Sequence, residues 1–119
     1  MKLIDLFNTN LLRAQRWHHG DIKEWSALEW AGAMTGEAGE AANAAKKLKR
    51  LETDIPSINE PERQLNNIED ASWQVAEECA DTIIYALLVM ARVGITDPEV
   101  VIRDRFNRTS VKYDFPERL

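Results

Sequence analysis

The chain has 119 residues, of which 45% are hydrophobic, the size and apolar content of one ordinary domain with its own core. Its 20 acidic residues outnumber the 15 basic ones, leaving a formal charge of −5. That balance excludes a general binder of nucleic acid or anionic membrane, because both require a basic field.

Residues 2–16 set Leu3, Ile4, Phe7, Leu11 and Leu12 at helical intervals, which predicts a first helix with one face inward rather than a secretory leader. His18-His19-Gly20-Asp21 then breaks it. The histidine pair is a candidate metal or phosphate contact, with ordinary loop histidines as the competing reading. A second helix is expected from Ala27 to about Arg50. Ser26 and Glu29 form a capping-box pattern at its start, and Trp25 and Trp30 stand at the two positions of a hydrophobic staple. Lys46, Lys47, Lys49 and Arg50 suit the negative end of its dipole. Gly32, Gly36 and Gly39 each weaken a helix interior by about 1 kcal/mol relative to alanine, so another helix or a ligand is expected to pack close to them.

From Glu52 to Asp70 the chain turns polar around Pro56 and Pro61, and a long loop with at most a short helical turn is expected. A third helix should run from about Ala71 to a left-handed cap at Gly94. Asp97-Pro98-Glu99 supplies a cap, a first-turn proline and an early acid for a fourth helix reaching about Tyr113. The single cysteine, Cys79, cannot form an intrachain disulfide and reads as a small packing residue. The sum is an all-α, four-helix bundle-like fold in one domain spanning 1–119. The longest apolar run, Ile83 to Ala91, is too short for a bilayer, so the expectation is a soluble, cytoplasmic protein with no membrane partner. Apolar residues surround the axis of helix three there, and a chain this short has difficulty enclosing them. A homodimer or homotetramer is therefore expected, with this segment at or near the interface.

At about 100° per residue, Glu40 lies within about 60° of Glu37 on helix two, and Asp81 within about 60° of Glu78 on helix three. If the helices pack antiparallel, the four carboxylates converge, with Glu77 one step away. Such repulsion is relieved by a divalent cation, and an all-oxygen set favours Mg²⁺, Mn²⁺ or Ca²⁺ over zinc. Neither helix carries the Glu-x-x-His of di-iron bundles. The competing reading is a solvated acidic stripe.

The segments M-T-G-E-A-G-E-A at 34–41, K-K-L-K-R at 46–50 and E-E-C-A-D-T-I-I-Y at 77–85, with the tail R-F-N-R-T-S-V-K-Y-D-F-P-E-R-L, resemble the MazG-like all-α nucleoside triphosphate pyrophosphohydrolase superfamily, in particular its small stand-alone or phage-type members. The resemblance covers roughly residues 25–115. It implies Mg²⁺-dependent (or Mn²⁺-dependent) cleavage of a (deoxy)nucleoside triphosphate between the α and β phosphates, giving monophosphate and pyrophosphate, in nucleotide-pool house-cleaning. By position it implies Glu37, Glu40, Glu78 and Asp81 as metal ligands, with Glu37 or Glu40 as the catalytic base. Gly36 stands where the family usually has a first glutamate, which leaves that acid's role unfilled. Lys47, on the side of Glu40, and then Arg50 are the candidate phosphate contacts of helix two. Arg105 and Asn107 resemble substrate-contacting positions, and Trp30 is a candidate nucleobase surface, against its structural role as a staple. The alternative class is a non-catalytic helical interaction or nucleotide-binding regulatory module, whose acids bind no metal and whose helix three docks a partner.

Overall fold

A computed structural model describes residues 1–17, 21–53 and 61–119, with side chains except those of 61–66. The His18-His19 pair and the middle of the expected loop, 54–60, lie outside the described residues. All regular structure among the described residues is helical: α1 (Leu3–Trp17), a 3₁₀ turn (Ile22–Glu24), α2 (Ala27–Thr53), α3 (Pro61–Arg92) and α4 (Pro98–Lys112). None of these helices is long and apolar enough to cross a membrane.

The chain divides into two compact units. One comprises Met1–Ala27 with Leu87–Leu119, the other Leu28–Ala86. In the first, α1 packs against α4 and the 3₁₀ turn, burying Phe7, Ala14 and Ile22. Asp21 starts the turn by accepting from the Lys23 amide at 2.8 Å. The Arg92 Nε donates to the Trp25 carbonyl at 2.7 Å, tying the end of α3 to the segment that leads into α2.

Both helix ends in this unit close by the same device. Gly94, at φ +90°, donates its amide to Ala91 while Ile95 reaches back to Met90, each at 3.0 Å; this is the Schellman pairing that satisfies the last carbonyls of α3. Asp114 takes the corresponding place after α4 at φ 56°, with Phe115 donating to Ser110 at 2.8 Å. The backbone of the tail then meets Asn107, whose amide oxygen accepts from the Leu119 N–H at 2.9 Å and whose nitrogen donates to the Leu119 carbonyl at 3.3 Å. At its start, α4 has the expected cap: Asp97 accepts from the Glu99 amide at 3.0 Å, with Pro98 in the first turn.

In the second unit α2 and α3 run antiparallel. Trp30 lies against Tyr85, ring centroids 6.4 Å apart, and seven residues further along α2, Glu37 meets Glu78 and Asp81. As α2 ascends in number, its partners on α3 descend.

One sequence expectation needs correction. Helix three begins at Pro61, ten residues before Ala71, so much of the segment read as a loop is helix. Proline at a first helical position costs no hydrogen bond, and a polar helix gives no apolar periodicity to detect. Among the described residues, a Cβ at Gly32, Gly36 or Gly39 would meet no atom within 4 Å. The apolar run in α3 is partly covered within the chain. Leu87 and Leu88 are buried, whereas Ile83 is 52% exposed.

Candidate metal centre

Two helical periods make the site. On α2, Glu37 sits among Gly36, Ala38, Gly39 and Ala41, residues too small to screen it from α3. On α3, Glu78 and Asp81 are three apart and project to one side. The antiparallel pairing brings one carboxylate oxygen from each of Glu37, Glu78 and Asp81 to within 4.8 Å of one another. Glu37 and Glu78 are half-buried and Asp81 is exposed, so the cluster has a protein side and an open side.

Burial pushes the Glu37 carboxyl above its ordinary value, and the charges of Glu40 and Asp81 push it further. Glu78 is raised by burial first, then by the nearby Glu40 carboxyl and the charges of Asp81 and Glu37. Every one of these influences acts in the same direction, as mutual repulsion among closely gathered carboxylates requires. Glu40 itself is exposed and joins the group through Glu78. Glu77 faces elsewhere: its Oε1 accepts from the Trp73 indole N–H at 3.0 Å.

The donor set fits a hard cation. Oxygens on opposite sides of Mg²⁺ stand about 4.2 Å apart, and around Ca²⁺ close to 5 Å, and the three carboxylate oxygens lie within 4.8 Å of one another. Two turns away, about 10 Å along the axes, Trp30 and Tyr85 form an apolar wall.

The other sequence candidates are placed as follows. Trp30 is 1% exposed and packs in the core against Tyr85 rather than offering an open face. Lys47 and Arg50 are exposed on α2 beyond Glu40. Arg105, also exposed, lines a shallow hollow with Phe106, Thr109, Ser110 and Phe115, and the Asn107 amide is held by Leu119.

Sequence reasoning missed two features. The Trp30–Tyr85 contact was signalled by spacing: each helix carries an aromatic residue seven positions from a site acid, on the N-terminal side in α2 and the C-terminal side in α3, which match only in an antiparallel register. The influence of Glu40 on Glu78 had no such signal, because it depends on how far each side chain reaches across the gap.

Compared with known proteins, the chain matches no family model, no curated protein and no solved structure.

Proposed function

We propose that the protein is a magnesium-dependent nucleoside triphosphate pyrophosphohydrolase of the MazG-like type. The observation that carries this reading is the convergence of Glu37, Glu78 and Asp81 from two antiparallel helices within 4.8 Å, at the motif positions on which the sequence resemblance rests. Glu37, Glu78 and Asp81 would hold Mg²⁺ or Mn²⁺, with Glu40 beside them. When bound, the ion supplies charge neutralisation and Lewis-acid polarisation at the phosphates.

The chain's own groups supply the rest. Glu40 is exposed and stands next to the three-oxygen cluster rather than within it, which favours it over Glu37 as the carboxylate that takes a proton from the attacking water. Attack at the α phosphate and departure of pyrophosphate complete the reaction. Lys47, Arg50 and Arg105 are the proposed phosphate contacts. Asn107 can contact substrate only after releasing the Leu119 backbone, with which it now shares two hydrogen bonds. On this reading the protein works in the cytoplasm, on the nucleotide pool.

The test is incubation of the purified protein with canonical and modified nucleoside triphosphates, with Mg²⁺ or EDTA, resolving monophosphate and pyrophosphate. Metal-dependent pyrophosphate release that is lost in folded Glu37→Gln and Asp81→Asn variants is the expected result. No turnover over the whole panel favours the non-catalytic interaction or nucleotide-binding module.

A further inference from the structure

Residues 114–119 turn back along α4 and are held to it by polar contacts. Asp114, at φ 56°, reverses the chain. The Arg118 guanidinium donates to the carbonyls of Phe115 and Glu117, at 2.5 and 2.8 Å, and so fixes the shape of the returning segment. The Asn107 side chain grips its end: the amide oxygen accepts from the Leu119 N–H and the amide nitrogen donates to the Leu119 carbonyl, which engages both halves of the side-chain amide at once. Phe115 is 55% and Leu119 65% exposed, so little apolar area holds the segment, and a segment closed by solvent-exposed hydrogen bonds opens at small cost.

The segment lies on the two α4 groups named above as substrate contacts. Arg105 lines a hollow with Phe106, Thr109 and Ser110, and the segment supplies Phe115 and Glu117 to the same hollow. Glu117 thus brings a carboxylate to the place where Arg105 would meet a phosphate, and like charge there repels an entering anion. Asn107 is meanwhile occupied by Leu119. We propose that residues 114–119 are an autoinhibitory latch: closed, it guards the Arg105 hollow and occupies Asn107, and a polyphosphate chain gains both groups by displacing it. The latch rests on the reading of Arg105 and Asn107 as substrate contacts. It acts on apparent affinity rather than on chemistry. If about a tenth of the molecules stand open, the apparent dissociation constant is about ten times the intrinsic one, whereas kcat, measured with the latch displaced, is unaffected.

The experiment pairs two variants with one amide. Leu119→Pro removes the N–H that Asn107 holds, and Arg118→Ala removes the donor that shapes the segment. Each should lower KM for the preferred nucleoside triphosphate by about three- to tenfold with kcat within about twofold, and should tighten calorimetric binding of inorganic tripolyphosphate with Mg²⁺ by a similar factor. In the native chain, exchange of the Leu119 amide followed by NMR should quicken several-fold on saturation with tripolyphosphate. Unchanged KM and unchanged tripolyphosphate binding in both variants overturn the latch, as does a Leu119 amide that exchanges at one rate with and without tripolyphosphate. The latch and the hydrolase fail separately: a native chain that turns over no nucleotide yet releases Leu119 on binding tripolyphosphate keeps the latch and loses the hydrolase, and turnover with a Leu119 amide indifferent to ligand does the reverse.

Discussion

The Glu37 carboxylate of α2 and the Asp81 carboxylate of α3 each bring an oxygen within 4.8 Å of the other and of Glu78. Carboxylates gathered so closely repel one another, and burial and that repulsion together raise Glu37 and Glu78. On the proposed reading, a cation at the three-oxygen cluster would relieve the same repulsion. Metal and proton are thus competitors for the same place.

Metal-free stability should depend on pH through this cluster, with a definite sign. Glu37 and Glu78 have folded-state values raised above the ordinary 4.5, so between 4.5 and the raised values the folded chain binds more protons than the unfolded chain. Their contribution is present in full below 4.5 and is lost as pH rises through the raised values. In EDTA, Glu78→Gln should therefore gain in melting temperature relative to the native chain as pH rises from 4.5 towards neutrality. Parallel curves for the two proteins would show that the cluster does not govern this dependence.

Added Mg²⁺ or Mn²⁺ should reverse that loss. An ion that binds only the folded chain stabilises it by about 2.7 kcal/mol at a concentration 100 times Kd, and because the carboxylates must be deprotonated to ligate, binding releases protons and tightens with pH. Calorimetric titration in two buffers of different ionisation enthalpy measures the release. Asp81→Asn should lose both the stabilisation and the proton signal, whereas Glu77→Gln, whose carboxylate is turned to Trp73, should keep them.

The proposed base can be separated from the proposed ligands by kinetics. If Glu40 takes the proton from water, Glu40→Gln should lower kcat by about 10²–10⁴-fold while Mg²⁺ still raises the melting temperature. Glu37→Gln should lose turnover and metal stabilisation together. Equal loss of both properties in the two variants would make Glu40 a ligand of the same rank and leave the base unassigned.

The two Schellman caps make opposite predictions. Gly94, at φ +90° and with open space around it, should lose about 1 kcal/mol as Gly94→Ala, because a Cβ disfavours the left-handed region. Asp114 already bears that strain at φ 56°, so Asp114→Gly should stabilise by a few tenths to about 1 kcal/mol. Urea denaturation midpoints of both variants decide the matter.

What could be read from the sequence followed the strength of the local physics. Helix α2 was legible at its start because Ser26, Glu29 and the flanking tryptophans mark a terminus by chemistry; its end, at Thr53 rather than about Arg50, had no equivalent mark. The cap at Gly94 and the proline start of α4 were legible for the same reason. The beginning of α3 was not, since Glu62-Arg63-Gln64 and Asn66-Asn67 present no apolar period and Pro61 was read as loop punctuation rather than as a first helical residue. The acids were legible as two pairs because helical geometry alone puts residues three apart on one side. Which of them would form the closest cluster was not, because that depends on the register between helices and on side-chain reach, neither of which is a local property.

Trp30 separates the sequence reading from the structural one most sharply. Its position fits either a staple or a nucleobase surface, yet it is 1% exposed with its ring 6.4 Å from that of Tyr85. A buried tryptophan contributes through area and shape, and replacing it with a smaller ring leaves a cavity. Trp30→Phe should therefore cost on the order of 1–2 kcal/mol of stability, seen as a lower urea midpoint, while KM for the preferred nucleoside triphosphate stays within about twofold. Stacking on a base would give the reverse, with an unchanged midpoint and a KM raised by tenfold or more, since base–aromatic stacking is worth about 1–3 kcal/mol. Because Trp30 stands two turns from Glu37 on the same face of α2, a loosened core at this point should also weaken Mg²⁺-linked stabilisation. That coupling would appear in Trp30→Phe without any change in the ligands themselves, and its absence would mean that the acid cluster holds its geometry independently of the aromatic wall.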